Sequence, residues 1–466
     1  EGALRCFHTP SSQLHSVCSS SSCLPTPAIA AFLAPSSSSM ATPTPPPLLL
    51  LPLLLLLTTP LSSSSSSPTA VGINYGQVAD NLPSPTAVIP LLRSLGVSRV
   101  KIYDADPAVL RAFADTGVDF VVGLADECVA KVTDPDKALA WVKSNISPFV
   151  PRTRISAVTV GNEVLTGKNT ALIRALLPAM QSVHTALVAL GLDRQVAVTT
   201  AHSLAVLETS YPPSAGSFRR DLAPCVSQLL AFLSKTGAPF LINAYPYFAY
   251  KADPRKVPLD YVLLQPNPGV VDPFSGLRYQ NMLHAQVDAV HTAIERLLGK
   301  AKASELEVRV SETGWPSNGD LDEAGATPEN ARRYNGNIMR MAAQKAGTPL
   351  RPNATLQVYI FALFNENQKP GPASERNYGL FKPDGTPAYQ LAATSPPAAN
   401  SSASDGVAAG EGEDGGDDMF DPSTGYYTIS SATKVRFSTG IGVSAGFHFV
   451  ILLRTAALLK GLSLSL

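Results

Sequence analysis

ISAVTVGNE, residues 155–163, is a run of β-branched and small apolar residues that ends on an asparagine and a glutamate. A short apolar run rich in Val, Ile and Thr reads as a buried strand. Seven further runs of this kind lie around it: VGINYG (71–76), RVKIYD (99–104), DFVVGL (119–124), QVAVTTAHS (195–203), FLINAYPYF (240–248), LEVRVSETG (306–314) and LQVYIFALFNE (356–366). Helix-like amphipathic stretches separate them, among them 134–146, 169–190, 224–236, 279–297 and 327–345. Eight buried strands alternating with helices, in a stretch somewhat above the roughly 250 residues typical of the fold, predict an α/β class (β/α)8 TIM barrel. A doubly wound open sheet is the competing architecture. It lacks support, because no glycine-rich phosphate loop follows the first strand.

Barrel enzymes build their sites at the C-terminal ends of the strands, so the last residues of each run are the informative ones. Those ends are Tyr75, Asp104, Asn162 with Glu163, His202, Tyr245 through Phe248, Glu312 through Trp315, and Asn365 with Glu366. Glu163 and Glu312 close strands four and seven, nearly opposite each other across the mouth, with aromatics around them. A carboxylate at the end of an apolar strand is costly to bury without a reason. Two carboxyls flanking one bond divide labour as acid and nucleophile when their surroundings separate their pKa values. Glycoside hydrolysis requires that arrangement, and Tyr, Phe and Trp around the cleft suit the apolar faces of sugar rings. His202 reads as a core or rim histidine, and Asp106-Pro107 reads as a helix start. No H-E-x-x-H or Cys/His cluster appears, so no metal and no cofactor are expected.

The 466 residues hold 36 basic and 36 acidic side chains, and charged residues are only 15% of the chain. That balance excludes a basic nucleic-acid footprint. The 45% apolar fraction excludes wholesale disorder, and five cysteines exclude a disulfide-built scaffold. One acid and one base lie before residue 71, and seven acids and four bases lie after 393. Residues 71–393 therefore keep 28 acids and 31 bases, about +3. Cys128 and Cys225 fall in this segment, either as a pair or as free buried thiols. Sequons at Asn145, Asn353 and Asn400 fit a secreted glycoprotein.

Both ends read as targeting rather than fold. Residues 1–70 form a leader: a Ser-rich stretch to residue 39, Met40 as the expected start, then Leu48 to Leu57, nine leucines around Pro52. Such a short apolar block followed by small residues is a secretory signal core. Residues 394–432 form a disordered, acidic Ser/Gly linker containing EGEDGGDD. Residues 433–466 form a hydrophobic tail. With Ser430, Ser431 and Ala432 before it, this tail matches a removable GPI-anchor signal. Arg454 and Lys460 interrupt it, and an uncleaved tail or a spanning helix is the alternative. Gly442-Val-Ser444-Ala-Gly446 and Gly440 to Ala445 match nucleophile-elbow and dinucleotide patterns, but without the strand–turn–helix setting that gives them meaning.

VGINYGQVADNLPSP, VKIYDADP, TVGNEV, INAYPYF, VSETGWPSNGD and FALFNENQKPGPASERNYGLFKPDGTPAY together resemble the plant glucan endo-1,3-β-glucosidases of glycoside hydrolase family 17, over essentially all of 71–391. The resemblance implies a retaining endo-hydrolase of β-1,3-glucans such as callose, with Glu163 as acid/base and Glu312 as nucleophile. It also implies sugar-binding roles for Tyr75, Asn162, Tyr245, Phe248 and Trp315, and a charged, cleft-lining set in Glu366, Lys369 and Glu375. A carboxyl separation of about 5–5.5 Å is expected for retention. No cysteine follows residue 391, so the Cys-rich module that follows the barrel in many members is not expected. The expected partner is β-1,3-glucan and not nucleic acid, with membrane contact only through a GPI anchor, on a monomer in the cell wall or at the outer plasma-membrane face. A mixed-linkage 1,3-1,4-β-glucanase and a non-catalytic wall-glucan-binding protein are the rival readings.

Overall fold

The computed structural model describes residues 71–391; the leader, the linker and the hydrophobic tail read from the sequence lie outside the described residues. Eight strands run parallel: β1 (Val71–Asn74), β2 (Arg99–Lys101), β3 (Asp119–Leu124), β4 (Arg154–Asn162), β5 (Ala197–Ser203), β6 (Phe240–Asn243), β7 (Val308–Thr313) and β8 (Val358–Phe361). They close in the order β1-β8-β7-β6-β5-β4-β3-β2, so the open-sheet alternative is excluded. Seven helices follow strands one to seven: α1 (Pro85–Ser94), α2 (Pro107–Ala112), α3 (Pro135–Asn145), α4 (Thr170–Ala189), α5 (Ala223–Thr236), α6 (Met282–Leu298) and α7 (Pro328–Ala343).

Local chemistry sets the boundaries. Five of the seven helices have a proline in their first turn, where the missing N–H costs nothing. Asp106, Asp134 and Asn169 cap the following amides of α2, α3 and α4, as the Asp106-Pro107 reading expected. Most of the expected strands are shorter than their apolar runs, two of them by five residues or more. FLINAYPYF leaves the sheet after Asn243, because Pro246 opens a short helix, Pro246–Ala252. LQVYIFALFNE keeps only Val358–Phe361 as strand. Helix α4 is apolar and long enough to cross a membrane by composition, yet it packs on β4 and β5 as a barrel helix.

The large core lies between the sheet and the helix ring, while the lumen is narrow. Val121, Ala157 and Tyr359 form a separate small cluster inside it, with Ala197 packed against them. Lys101, Thr199, Leu241, Arg309 and Ser311 line the same interior. Strand parity then turns Tyr103 and Asn243 toward the lumen above Lys101 and Leu241. Cys225 is a free, half-buried thiol, so no Cys128–Cys225 bridge forms.

Candidate active site

The end of β4 turns sharply. Gly161 takes φ +66°, and a Cβ there would lie 2.6 Å from Val164 Cγ2, so only glycine fits. Two residues on, Glu163 also has a left-handed backbone, φ 55° and ψ 26°. That conformation costs a non-glycine residue about 1–2 kcal/mol. The Glu163 amide donates to Ala201 O at 2.9 Å and the Asn162 amide to Asp126 Oδ1 at 3.0 Å, which pins the turn. Its carboxylate Oε1 accepts Asn243 Nδ2 at 3.0 Å.

Glu312 is delivered differently. Ser311 and Glu312 are sequence neighbours, and parity would send them to opposite faces. The ladders of β7 with β6 and β8 are irregular just after Val310, and this brings the Glu312 carboxylate inward. Three donors hold it: Lys101 Nζ at 2.8 Å and Tyr103 Oη at 2.7 Å on Oε1, and Tyr245 Oη at 2.9 Å on Oε2. Lys101 is 1% exposed, so this ion pair is buried.

These surroundings separate the two carboxyls. Burial, and after it the charge of Glu312, push Glu163 up to about 7, against the Asn243 hydrogen bond and the Lys101 charge. Burial also acts to raise Glu312, but Lys101, Tyr103 and Lys369 outweigh it and hold the group below the ordinary carboxylate range. One group therefore holds a proton near neutrality while the other is ionised, the condition for an acid and a nucleophile.

The remaining expected residues divide. Phe248 is half-buried, tilted against Tyr245 with ring centroids 5.4 Å apart. Asn162 Oδ1 is buried without a protein partner, an acceptor left for another molecule to satisfy. Lys369 pairs with Glu375 Oε2 at 3.3 Å and sits 3.9 Å over the Phe361 ring. Tyr245 spends its hydroxyl on Glu312. Glu366 is buried, and its Oε1 accepts the Val78 amide at 2.8 Å, so it braces the loop after β1. Gly76 makes room for that carboxylate, since a Cβ there would meet Glu366 Oε2 at 2.4 Å.

Two of the expected sugar-binding side chains are buried. Trp315 is 0% exposed, wedged among Tyr247, Tyr250 and Tyr334, and its Nε1 donates to Gly325 O at 2.7 Å. It offers no face to a sugar and instead packs the loop after β7. Tyr75 is likewise buried, edge-on to Phe364, with no open face for stacking. His202 stacks on Phe240 and is pushed down to about 4 by burial, a neutral core residue.

Lys101, Tyr103, Asn243, Ser311 and Asn74 were missed by sequence reasoning. Tyr103 Oη also lies 3.2 Å from Asn74 Oδ1, Asn74 Nδ2 donates to Ser311 O at 3.1 Å, and Ser311 Oγ donates to Asn243 Oδ1 at 2.6 Å. The available signal was polar residues inside otherwise apolar strands, above all a lysine between Val100 and Ile102. Among the described residues, no cluster of three or more His, Cys, Asp or Glu side chains is arranged to hold a metal ion.

Known proteins are similar to this chain over the barrel. Glucan endo-1,3-beta-glucosidase 11 of Arabidopsis thaliana is 58% identical over 325 residues, 69% of this chain and 75% of the relative. Glucan endo-1,3-beta-glucosidase 14 of the same plant is 55% identical over 322 residues, 69% of this chain and 81% of the relative. Among solved structures, a beta-1,3-glucanase and allergen of Cryptomeria japonica pollen superposes with a TM-score of 0.65 at 40% identity, covering 69% of this chain and 98% of that one. A structure from a study of two plant beta-glucan endohydrolases with distinct substrate specificities gives 0.63 at 39% identity, covering 69% and 99%. The model of Glycosyl hydrolases family 17 matches residues 71–393, and the chain belongs to that family.

Proposed function

We propose that the protein is a retaining endo-hydrolase of 1,3-β-D-glucosidic bonds in β-1,3-glucans, with Glu163 as acid/base and Glu312 as nucleophile. The observation that carries the reading is the opposed tuning of the two carboxyls, Glu163 up to about 7 and Glu312 below the ordinary range. In the first step Glu163 gives its proton to the glycosidic oxygen while Glu312 attacks the anomeric carbon. Esterification then removes the negative charge of Glu312, the second-largest cause of the raised Glu163 value. The Glu163 pKa falls, and the carboxylate is suited to take a proton from the water that releases the sugar. The unpartnered Asn162 Oδ1 supports a role as acceptor for a sugar hydroxyl, and half-buried Phe248 as a stacking face. Lys369 and Glu375 then supply the charged rim.

Purified protein assayed on laminarin, callose and lichenan, with product anomers followed by NMR, tests the reading. β-Configured first products from laminarin support it; α-configured products would overturn retention. Glu312→Gln is expected to abolish hydrolysis with the fold intact, and substantial residual turnover would show the nucleophile misassigned. Preference for lichenan would favour the mixed-linkage reading, which the distinct substrate specificities of the two plant beta-glucan endohydrolases in that structural study keep in view. Binding without turnover would favour a wall-glucan receptor. We also propose residues 71–393 as the catalytic domain of a secreted monomer, tethered by a GPI anchor added near residue 432. Release from membranes by a phosphatidylinositol-specific phospholipase checks the tether.

A further inference from the structure

Glu163 has two carboxyl oxygens, and a proton delivered into the cleft has to leave from one of them. Asn243 closes β6 with a side chain that is 2% exposed. Its Nδ2 donates to Glu163 Oε1, and its Oδ1 accepts from Ser311 Oγ. An amide N–H is a donor only, so the oxygen it meets has to present a lone pair. Oε1 is thus kept as an acceptor whether Glu163 is ionised or neutral. Oε2 takes no protein hydrogen bond among the described residues.

The orientation of the amide is fixed from behind. Asn243 Oδ1 is the acceptor hydrogen-bonded to Ser311 Oγ among the described residues. A flipped amide would put Nδ2 on that hydroxyl, strand the hydroxyl proton, and set an acceptor against an ionised Glu163. Ser311 is one residue before Glu312, and Glu312 pairs with Asn243 across the β7–β6 ladder. The device therefore ties the carboxyl on β4 to the strand that carries the opposite carboxyl.

We infer that Ser311 and Asn243 form an orienting relay that reserves Oε1 of Glu163 as an acceptor and places its transferable proton on Oε2. This inference rests on the acid/base reading of Glu163. Both are positioning residues, acting through Glu163 rather than on the sugar. Losing them leaves the proton free to occupy Oε1, where it faces Asn243's position rather than the cleft.

Leaving-group dependence tests the relay. Laminarin needs its leaving oxygen protonated, whereas a 2,4-dinitrophenyl β-laminaribioside does not, and kcat/KM reports the first covalent step on both. Positioned proton transfer contributes roughly 100- to 10,000-fold. Asn243→Ala is expected to lose about 10- to 100-fold on laminarin and less than about 3-fold on the aryl glycoside, with Ser311→Ala showing the same split at smaller amplitude. Equal losses on both substrates in folded variants would overturn the relay, because a purely structural role does not distinguish leaving groups. Asn243→Ser, with Ser311→Ala, serves if Asn243→Ala does not fold. Glu163→Ala separates the two claims. If it shows the split and azide restores its turnover while the relay variants show none, the relay is wrong and the acid/base assignment stands. If Glu163→Ala itself shows no split, the assignment of Glu163 fails.

Discussion

Lys101→Met is the most informative single perturbation of the site. Lys101 Nζ donates to Glu312 Oε1 at 2.8 Å, with both side chains buried. A hydrogen bond to a charged group contributes about 1.5–3 kcal/mol. Its removal, together with that of the Lys101 charge, takes away the largest of the causes that lower Glu312, so the Glu312 pKa rises. Lys101 also draws Glu163 down, so that group rises too, by less because the Lys101 charge stands behind burial, Glu312 and Asn243 among its causes. In the wild-type protein the pH profile of kcat/KM on laminarin has an acid limb below the ordinary carboxylate value and an alkaline limb near 7. In Lys101→Met both limbs move to higher pH, the acid limb further, and the bell narrows.

Stability gives a second readout of the same change. A carboxylate held below its unfolded value stabilises the fold above that value, and loses the contribution as pH falls through the folded one. Raising Glu312 therefore moves acid unfolding to higher pH. Leaving a buried charge unpaired costs about 3–5 kcal/mol, less here because the Tyr103 and Tyr245 hydroxyls stay on the carboxylate. Lys101→Met combined with Glu312→Gln needs no cation, so it is expected to regain part of the lost melting temperature. A folded Lys101→Met whose acid limb and melting temperature match the wild type would refute the claim that this lysine sets the charge state of Glu312.

Two further substitutions test parts of the scaffold. Glu323 is buried and accepts from Lys251 Nζ at 2.6 Å, Ser374 Oγ at 2.5 Å, Ser374 N at 2.8 Å and Asp320 N at 3.0 Å, which joins three loops at the mouth. Glu323→Ala is expected to lower unfolding stability by about 3–5 kcal/mol in a denaturant titration, and a change below about 1 kcal/mol would show the latch to be dispensable. Trp315→Phe removes the bond to Gly325 O and part of a buried ring, and is expected to lower stability by about 1–3 kcal/mol with KM for laminarin unchanged. A several-fold rise in KM at unchanged stability would return Trp315 to the cleft.

The barrel was legible because its strands announce themselves by apolar periodicity and its helices by their caps and first-turn prolines. Glu163 and Glu312 were legible for a related reason: a carboxylate at the end of an apolar run is conspicuous. Lys101 and Asn243 were not, because each is a polar, lumen-facing residue in a run whose helix-facing neighbours, Val100 and Ile102 or Ile242 and Ala244, are apolar. The alternation hides a single polar residue, and its partner lies more than a hundred positions away for Lys101 and 80 positions away for Asn243. The burial of Trp315 and Tyr75 was not legible, because the sequence gives ring chemistry and strand position, whereas exposure depends on packing. Packing settled that, through Tyr247, Tyr250 and Tyr334 around one ring and Phe364 beside the other.

Burial of charge is by itself an insufficient marker of the site, since Asp272 and Glu323 are as buried as Glu312. What separates them is whether backbone amides are among the donors. Asp272 accepts the Ser214, Phe274 and Ser275 amides, and Glu323 accepts the Ser374 and Asp320 amides. Glu366 belongs with them through the Val78 amide. Backbone donors fix a loop and tie the carboxylate to its structure. Glu163 and Glu312 have side-chain donors alone, Asn243 on one and Lys101, Tyr103 and Tyr245 on the other, whereas Glu323 and Asp272 add side-chain donors to their backbone ones. Those donors stand on or just after strands β2 and β6, where the barrel holds them still. A neutral amide leaves Glu163 near 7, whereas a cation with two phenols keeps Glu312 ionised. In a chain with only 15% charged residues, the difference between the two carboxyls comes from which uncharged or charged side chain each strand presents to the lumen. Their tuning can therefore change by single substitutions on β2 or β6 without rebuilding the loops that the backbone-bonded carboxylates hold.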